Sequence, residues 1–393
     1  MDMKVTAYRN INDFRLQSIW KEAAASSSNV SVFCTREWCV PWAETVGGSA
    51  EPFVLVAESD RGVEGIWPLC ITREDGVRWV KFMGSDRVKG DHMDFVCDAN
   101  RRDAVGRAFL EFIQQQRDTF DGLLLDGIAC ESRTRELLGG WARQNRYREV
   151  DREIQTLPFV QLPGTFDEYL SMLSHKRRSA VRRSRRKLAE SGASIHLSWG
   201  KHDLYQVLGE FCRLHAKRWN AVGVKSNFAN QPMRSFLTTF CTHAANEDWF
   251  RSYSLVVGGQ TEGVLIAFHY KHHASFYQIG RDPESSVLNA GMMLMAASIE
   301  QAIAESMQRY DFLRGDESYK SRLAKSQSTQ STVMIGIRRP ATTVIAKEQM
   351  SQRMKQIAHR VLGDERWEKL KVRMRRDPST SATHAASTEG ADA

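Results

Sequence analysis

The chain has 393 residues, 42% of them hydrophobic and 26% charged, with 55 Lys and Arg against 47 Asp and Glu. That length suits two domains, each with its own core, and the composition is that of a globular protein. No apolar run reaches the ~18 residues a membrane helix needs, and Met1-Asp2-Met3-Lys4 lacks the layout of a secretory signal, so a cytoplasmic protein without a membrane span is expected.

The net charge of +8 has a local origin. Lys176 to Lys187 holds eight basic residues in twelve and no acid, and without it 47 basic residues balance 47 acidic ones. This is a near-neutral protein carrying one basic helix. The seven cysteines are odd in number and scattered. Cys34 and Cys39 have no second pair to complete a zinc site, so reduced structural thiols are expected.

Met3–Tyr8 reads as a strand and Asn12–Ala25 as a helix. Thr35–Thr45 reads as a helix whose Trp38 and Trp42, four apart, pack inward. Phe53–Ala57 and Gly65–Ile71 form a hairpin, Val77–Met83 a third strand, Asp103–Gln116 an amphipathic helix and Gly122–Gly127 a buried strand. A helix follows over Ser132–Gln144. Phe159–Gly164, next to Pro158 and Pro163, reads as a crossover.

The same order then returns about 200 residues later. Tyr253–Val257 and Gly263–Tyr270 form the hairpin, Ser275–Gly280 the third strand, Asn289–Ser306 the helix and Tyr310–Arg314 the closing strand. A β-β-β-α-β unit used twice directs attention to the groove between the copies. After it, Val344–Leu362 places Met350, Met354, Ile357 and Val361 on one helical face. Asp364 can cap a further stripe of Trp367, Leu370 and Met374, and both short helices are expected to fold back on the body. The Ser/Thr/Ala-rich tail from Asp377 lacks periodicity and reads as disordered. The expected units are 1–158, 159–340, 341–376 and 377–393.

The repeat order resembles the core of the GNAT acyltransferase fold. Phe166-x-x-Tyr-Leu, Leu173-Ser174-His-Lys-Arg-Arg178, Arg182-Arg183-x-x-Arg186-Lys-Leu188, His215-x-x-Arg218-Trp219, Tyr277-x-x-Gly280-x-Asp282-Pro283 and Tyr310-Asp311-Phe312-Leu313-Arg314-Gly315-Asp316-x-x-Tyr319-Lys320 follow the order of the CelD-like group. That group is associated with cellulose and other exopolysaccharide biosynthesis. The match covers about 165–325, and the first half joins it by element order alone. A tandem of this kind also resembles the Fem-type aminoacyltransferases.

The resemblance implies an α/β fold of two tandem GNAT-like domains, each a mixed, mostly antiparallel sheet flanked by helices, with C-terminal helices added. The first copy is expected to be degenerate and the second catalytic. It implies acyl transfer from acetyl-CoA, another acyl-CoA, an acyl carrier protein or an aminoacyl-tRNA. The acceptor is an amine or hydroxyl of a sugar, polysaccharide precursor or cell-envelope intermediate. GNAT enzymes hold the coenzyme A pyrophosphate on an Arg/Gln-x-x-Gly-x-Gly/Ala loop. Here that stretch is Asp282-Pro-Glu-Ser-Ser-Val-Leu-Asn289-Ala-Gly291, with Asp282 and Glu284 opposing a phosphate. The rival reading is a non-catalytic accessory protein that binds a glycan intermediate through the groove.

Acyl transfer needs a base for the nucleophile's proton and an acid for the leaving group. Arg314 to Lys320 follows a buried strand, so Asp316 reads as the base, Tyr319 as a proton donor and Lys320 as the cation at the acyl oxygen. The alternative is an ion-paired turn. Asn289 reads as the N-cap of a helix whose first turn, with Gly291, takes an anion. In a wheel centred on Leu170 and carried unbroken to Leu188, Arg177 falls on the apolar face and Arg178 on its border. Both then read as phosphate ligands or structural ion pairs. Arg314 joins them as a binding residue. Trp219 reads as an acceptor-pocket residue or as packing, and Tyr277 and Arg281 as donor or acceptor contacts. No aromatic interleaves the basic run, which argues against sequence-specific nucleic-acid binding. His269, His272 and His273 have poor ligand geometry, and no metal is expected. No Gly-x-Ser-x-Gly elbow or Walker loop occurs.

Overall fold

The computed structural model describes residues 3–27, 30–285, 287, 289–315, 318–354 and 357, with the backbone alone at 153, 154, 318, 319 and 321. The first half supplies Lys4–Tyr8 (β1), Phe14–Ser26 (α1), Arg36–Thr45 (α2), Glu51–Pro52 (β2), Val54–Ser59 (β3), Gly62–Trp67 (β4), Leu69–Glu74 (β5), Val77–Phe82 (β6), Val96–Cys97 (β7), Arg102–Gln115 (α3), Gly122–Ala129 (β8), Arg133–Gln144 (α4) and Arg148–Gln161 (β9). The second supplies Phe166–Met172 (α5), His175–Glu190 (α6), Ser194–Ser198 (β10), Leu204–Ala221 (α7), Gln231–Asn246 (α8), Phe250–Val257 (β11), Gln260–Tyr270 (β12), His273–Arg281 (β13), Ala290–Ala304 (α9), Arg309–Asp311 (β14), Ser318–Leu323 (α10) and Ser326–Gly336 (β15).

One eleven-stranded sheet, ordered β10-β11-β12-β13-β14-β9-β15-β8-β6-β5-β2, runs through both halves, and a four-stranded sheet β1-β3-β4-β7 stands beside it. The large sheet is mixed: β13 and β14 are parallel around α9, β6 and β8 are parallel around α3, and the other pairs are antiparallel. Its order centres on the β9–β15 pair, with five strands beyond β9 and four beyond β15. β9 closes the first half yet pairs with β14 of the second, while β15 closes the second and pairs with β8 of the first. The repeat in the sequence is therefore a pair of units that exchange their last strands.

Several elements differ from the sequence reading for local reasons. Gly65–Ile71 is two strands in two sheets, because Pro68 lacks the N–H that a continuous ladder needs. Its carbonyl accepts from Met83 N instead. The stretch expected as a crossover at 159–164 begins as the end of β9, which runs through Pro158 and pairs on both sides at Phe159. The β11–β12 hairpin turns on Gly258 and Gly259, both at positive φ, as a tight two-residue turn requires. The helix assumed unbroken from Leu170 to Leu188 is two. A Thr165/Glu168 capping box starts α5, and Leu173 and Ser174 are extended.

The C-terminal helix over 339–354 packs by its first turns, where Ala341 and Ile345 meet Val77, Trp79 and Val150. Met350 and Met354, expected to fold back, are exposed, as is Ile357. Residues 358–393, with Val361, the Trp367 stripe and the tail, lie outside the described residues.

Both halves share an aromatic core. Trp38 of α2 meets Phe236 and Phe240 of α8 and Tyr277 of β13 edge-on, with centroids at 4.9, 4.8 and 5.9 Å. Gly84 (φ 75°) lets the chain pass against the indole, for a Cβ there would lie 2.2 Å from Trp38 Nε1. Gly84→Ala is therefore expected to cost about 1–3 kcal/mol, read as a lower midpoint in urea unfolding. All seven cysteines are free. Burial pushes the Cys34 and Cys97 thiols up to about 12, the range of inert structural thiols.

Candidate functional site

The β13–β14 ladder lasts three residue pairs, His273–Arg309, Ala274–Tyr310 and Ser275–Asp311. β13 then continues to Arg281 on β12 alone, with a bulge that skips Tyr277. The chain after Asp311 leaves the sheet through Leu313 in the left-handed region (φ 54°). One side of β13 is thus unpaired from Phe276 onward, and the two parallel strands stand apart. On the opposite face, α7 lies flat on β13 because Gly280 has no side chain: a Cβ would meet Phe211 O at 2.8 Å and His215 N at 2.9 Å.

The start of α9 stands next to the end of β13. Asn289 precedes it in the left-handed region (φ 61°), and its amide does not cap the helix but donates to Ser184 Oγ of α6 at 3.1 Å. That bond, with an Arg185–Glu300 ion pair further along, lays the basic helix against α9. Lys217 pairs with both Asp282 and Glu284, at 2.8 and 2.7 Å, which offsets part of their negative charge. Among the described residues, Lys176, Arg178, Arg183 and Lys187 of α6 have no carboxylate within 4.0 Å. The exposed sides of α6, which flank the Ser184 contact with Asn289, therefore carry unneutralised positive charge.

The first half supplies a polar cluster to the same opening. Arg314 donates through its backbone N–H and Nε to Asp91 (3.0 and 2.5 Å), through Nη2 to Gly90 O (2.9 Å), and meets Asp126 at 3.5 Å. Gln330 on β15 donates to the same Asp91, which is fully buried. Lys320 Nζ donates to the Arg314 carbonyl at 2.7 Å and holds the turn that follows β14.

Beside this cluster His92 Nε2 pairs with Asp311 at 2.9 Å, where β14 leaves the ladder. A carboxylate can only accept, so Nε2 carries the proton and Nδ1, with no hydrogen bond among the described residues, presents its lone pair. Burial works to lower the His92 pKa, but the Asp311 carboxylate outweighs it and the net shift is upward. Burial alone would raise Asp311, yet His92, Arg309 and the Leu313 N–H hold it at about 2. The His92 side chain keeps about a quarter of its surface exposed, at 26% against 5% for Asp311.

The predicted site residues divide accordingly. Arg281, Asn289 and Gly291 lie together, with Arg281 Cδ 3.8 Å from where a Gly291 Cβ would stand. Arg178 lies in the first turn of α6, half-buried. Arg177 shares the Val181 and Ser184 side of α6 but lies in its first turn, where its side chain is exposed and its Nη1 donates to Arg322 O. Tyr277 is sealed between the halves with its hydroxyl on Val88 O. Trp219 donates to His215, whose pKa burial pushes down to about 4 and whose other nitrogen bonds Ser226. This is a packed polar contact. Arg314 is an inter-half ion pair and Lys320 a turn clamp. Asp316 lies outside the described residues, and the Tyr319 side chain is not described. Sequence reasoning missed Asp91, His92 and Asp126, although the dense tract Lys89-Gly90-Asp91-His92-Met93-Asp94 between a strand and a helix was a usable signal.

Residues 175–321 match the family model described as "Acetyltransferase (GNAT) domain". FemX is similar in fold, with a TM-score of 0.61 at 10% identity over 84% of this chain and 97% of that one. L-PGS from Bacillus licheniformis aligns with a TM-score of 0.53 at 12% identity over 86% and 97%. The C-terminal domain of a putative lysylphosphatidylglycerol synthetase from Agrobacterium fabrum gives 0.52 at 8% identity over 85% and 95%. No curated protein matches. The chain thus has a GNAT-like α/β fold in which residues 175–321 match the GNAT domain model, and no helix among its described residues is long and apolar enough to cross a membrane.

Proposed function

We propose that the chain is an acyltransferase that moves an acyl group from an acyl-CoA or a comparable carrier to an amine or hydroxyl of a sugar, polysaccharide precursor or cell-envelope intermediate. The observation that carries this reading is the parting of β13 and β14 after three pairs, beside the start of α9. An extended thioester arm can take the strand edge that β13 leaves unpaired, and the carrier's phosphates can lie between the α9 start and α6.

The acceptor attacks the acyl carbonyl directly. Its N–H or O–H proton passes to His92 Nδ1 as the new C–N or C–O bond forms. The carrier's C–S or C–O bond breaks, and the carrier leaves as a thiol or alcohol on gaining a proton. Asp311 holds the imidazole and stabilises the imidazolium that results. Asp316 and Tyr319 remain proposed as the partners in proton transfer, and Lys320 acts through the bond it donates to the Arg314 carbonyl. Rate comes from positioning two bound reactants.

The unneutralised cations of α6 favour a second reading, a larger polyanionic donor such as an aminoacyl-tRNA or an acyl carrier protein. Thermal denaturation separates the two. Acetyl-CoA or octanoyl-CoA at 100-fold over Kd should stabilise by about 2.7 kcal/mol and raise the melting temperature by several degrees. Arg178→Ala/Arg183→Ala should weaken that shift. No shift with any acyl-CoA, together with one on adding charged tRNA, selects the second reading. No shift with either leaves the accessory role.

A further inference from the structure

Two carboxylates act on His92, and each has an arginine of its own. Asp91, the preceding residue, is paired with Arg314. Asp311 is paired with Arg309, whose Nε and Nη2 both donate to Oδ2, at 3.2 and 2.9 Å. That is the oxygen to which His92 Nε2 donates, while Oδ1 accepts from the Leu313 N–H at 2.8 Å. Arg309 and the imidazole thus share one carboxylate oxygen.

The sheet holds Arg309 in place from several sides. Arg309 and Asp311 are two apart on β14, so strand alternation sets them on one face. There the guanidinium lies over the Phe159 ring of β9, 3.7 Å from its centroid. Nη2 also donates to Ser328 Oγ of β15 at 3.3 Å. His273 is the partner of Arg309 in the β13–β14 ladder. Burial first, and then Arg309, push its pKa down, so it is neutral at neutral pH and adds no charge beside His92.

We propose that Arg309 is a positioning residue that fixes the Asp311 carboxylate beside His92 and offsets its charge, so that the imidazole is oriented without being locked in its doubly protonated form. The inference rests on His92 as the base of the proposed reaction. A carboxylate left alone beside an imidazole favours the imidazolium, which cannot accept a proton. The Arg309 cation works against that form. Arg314 does the same for Asp91 by pairing with it.

Two titrations of the full chain test this: the His92 imidazole resonance, assigned with His92→Gln, and acyl transfer from acetyl-CoA to glucosamine. In Arg309→Met the Asp311 charge acts on His92 unopposed, so the imidazole midpoint should rise. Turnover should fall about tenfold at a pH below both midpoints and return to the native level on the high-pH plateau. Arg309→Lys keeps the cation and should hold the midpoint near the native one. Arg309→Gln keeps a donor without the charge and gives the same test where the methionine variant does not fold. A merely structural contact would lower the plateau or the melting temperature and leave the midpoint in place. An imidazole midpoint that fails to rise on loss of the cation overturns the assignment, whatever the turnover. A midpoint that rises while the turnover profile stays in place overturns His92 as the base and leaves Arg309 acting on the imidazole.

Discussion

His92→Gln will lower acyl transfer by about 10²–10⁴-fold, the ordinary worth of a positioned proton acceptor, while the chain stays folded. Glutamine retains a donor toward Asp311, so the change removes a base rather than a contact. The pH dependence gives a sharper test. A general base acts when neutral, and the carboxylate beside His92 raises its pKa. Turnover should therefore rise with pH through a value above the ordinary imidazole range and then level off.

Stability should move the other way over the same interval. A raised histidine contributes fully below its unfolded value, and that contribution is lost as pH rises through the folded one. Asp311, held at about 2, contributes above the ordinary carboxylate range and loses that contribution only as pH falls through about 2. Activity that climbs with pH while the melting temperature declines identifies the pair. His92→Gln should abolish both trends, and a variant retaining the native pH profile removes His92 from the reaction.

Arg314→Met will destabilise the protein by about 3–5 kcal/mol, because it strands the Asp91 carboxylate, 0% exposed, without its cation. The double variant Asp91→Asn/Arg314→Met should recover much of that loss, since removing both charges removes the uncompensated burial. Urea unfolding of the two variants measures the difference. A loss under about 1 kcal/mol in the single variant would mean that water still reaches the cluster. Asp91 precedes β7, whereas Arg314 follows β14 and Gln330 lies on β15. The prediction therefore also tests whether the halves unfold together.

The elements themselves were legible in the sequence. Period-two and period-3.6 patterns located α3, α4, α9 and the strands around them, and Trp38 and Trp42 were placed inward by spacing alone. Turn chemistry was read less well. Pro68 splits a strand, and Leu173–Ser174 breaks a helix that the wheel treated as continuous.

What sequence determined by itself was the doubled β-β-β-α-β order, because periodicity and turn residues act over a few neighbours and survive as local pattern. What only the tertiary structure decided was which half supplies which group. The exchange of β9 and β15 carries each closing strand to the other unit, and it sets Asp91, His92 and Asp126 against Arg314 and Asp311, some 190 to 220 positions away. Pairings across such distances leave no periodic trace. They form because a buried charge must find its partner wherever the folded chain presents one.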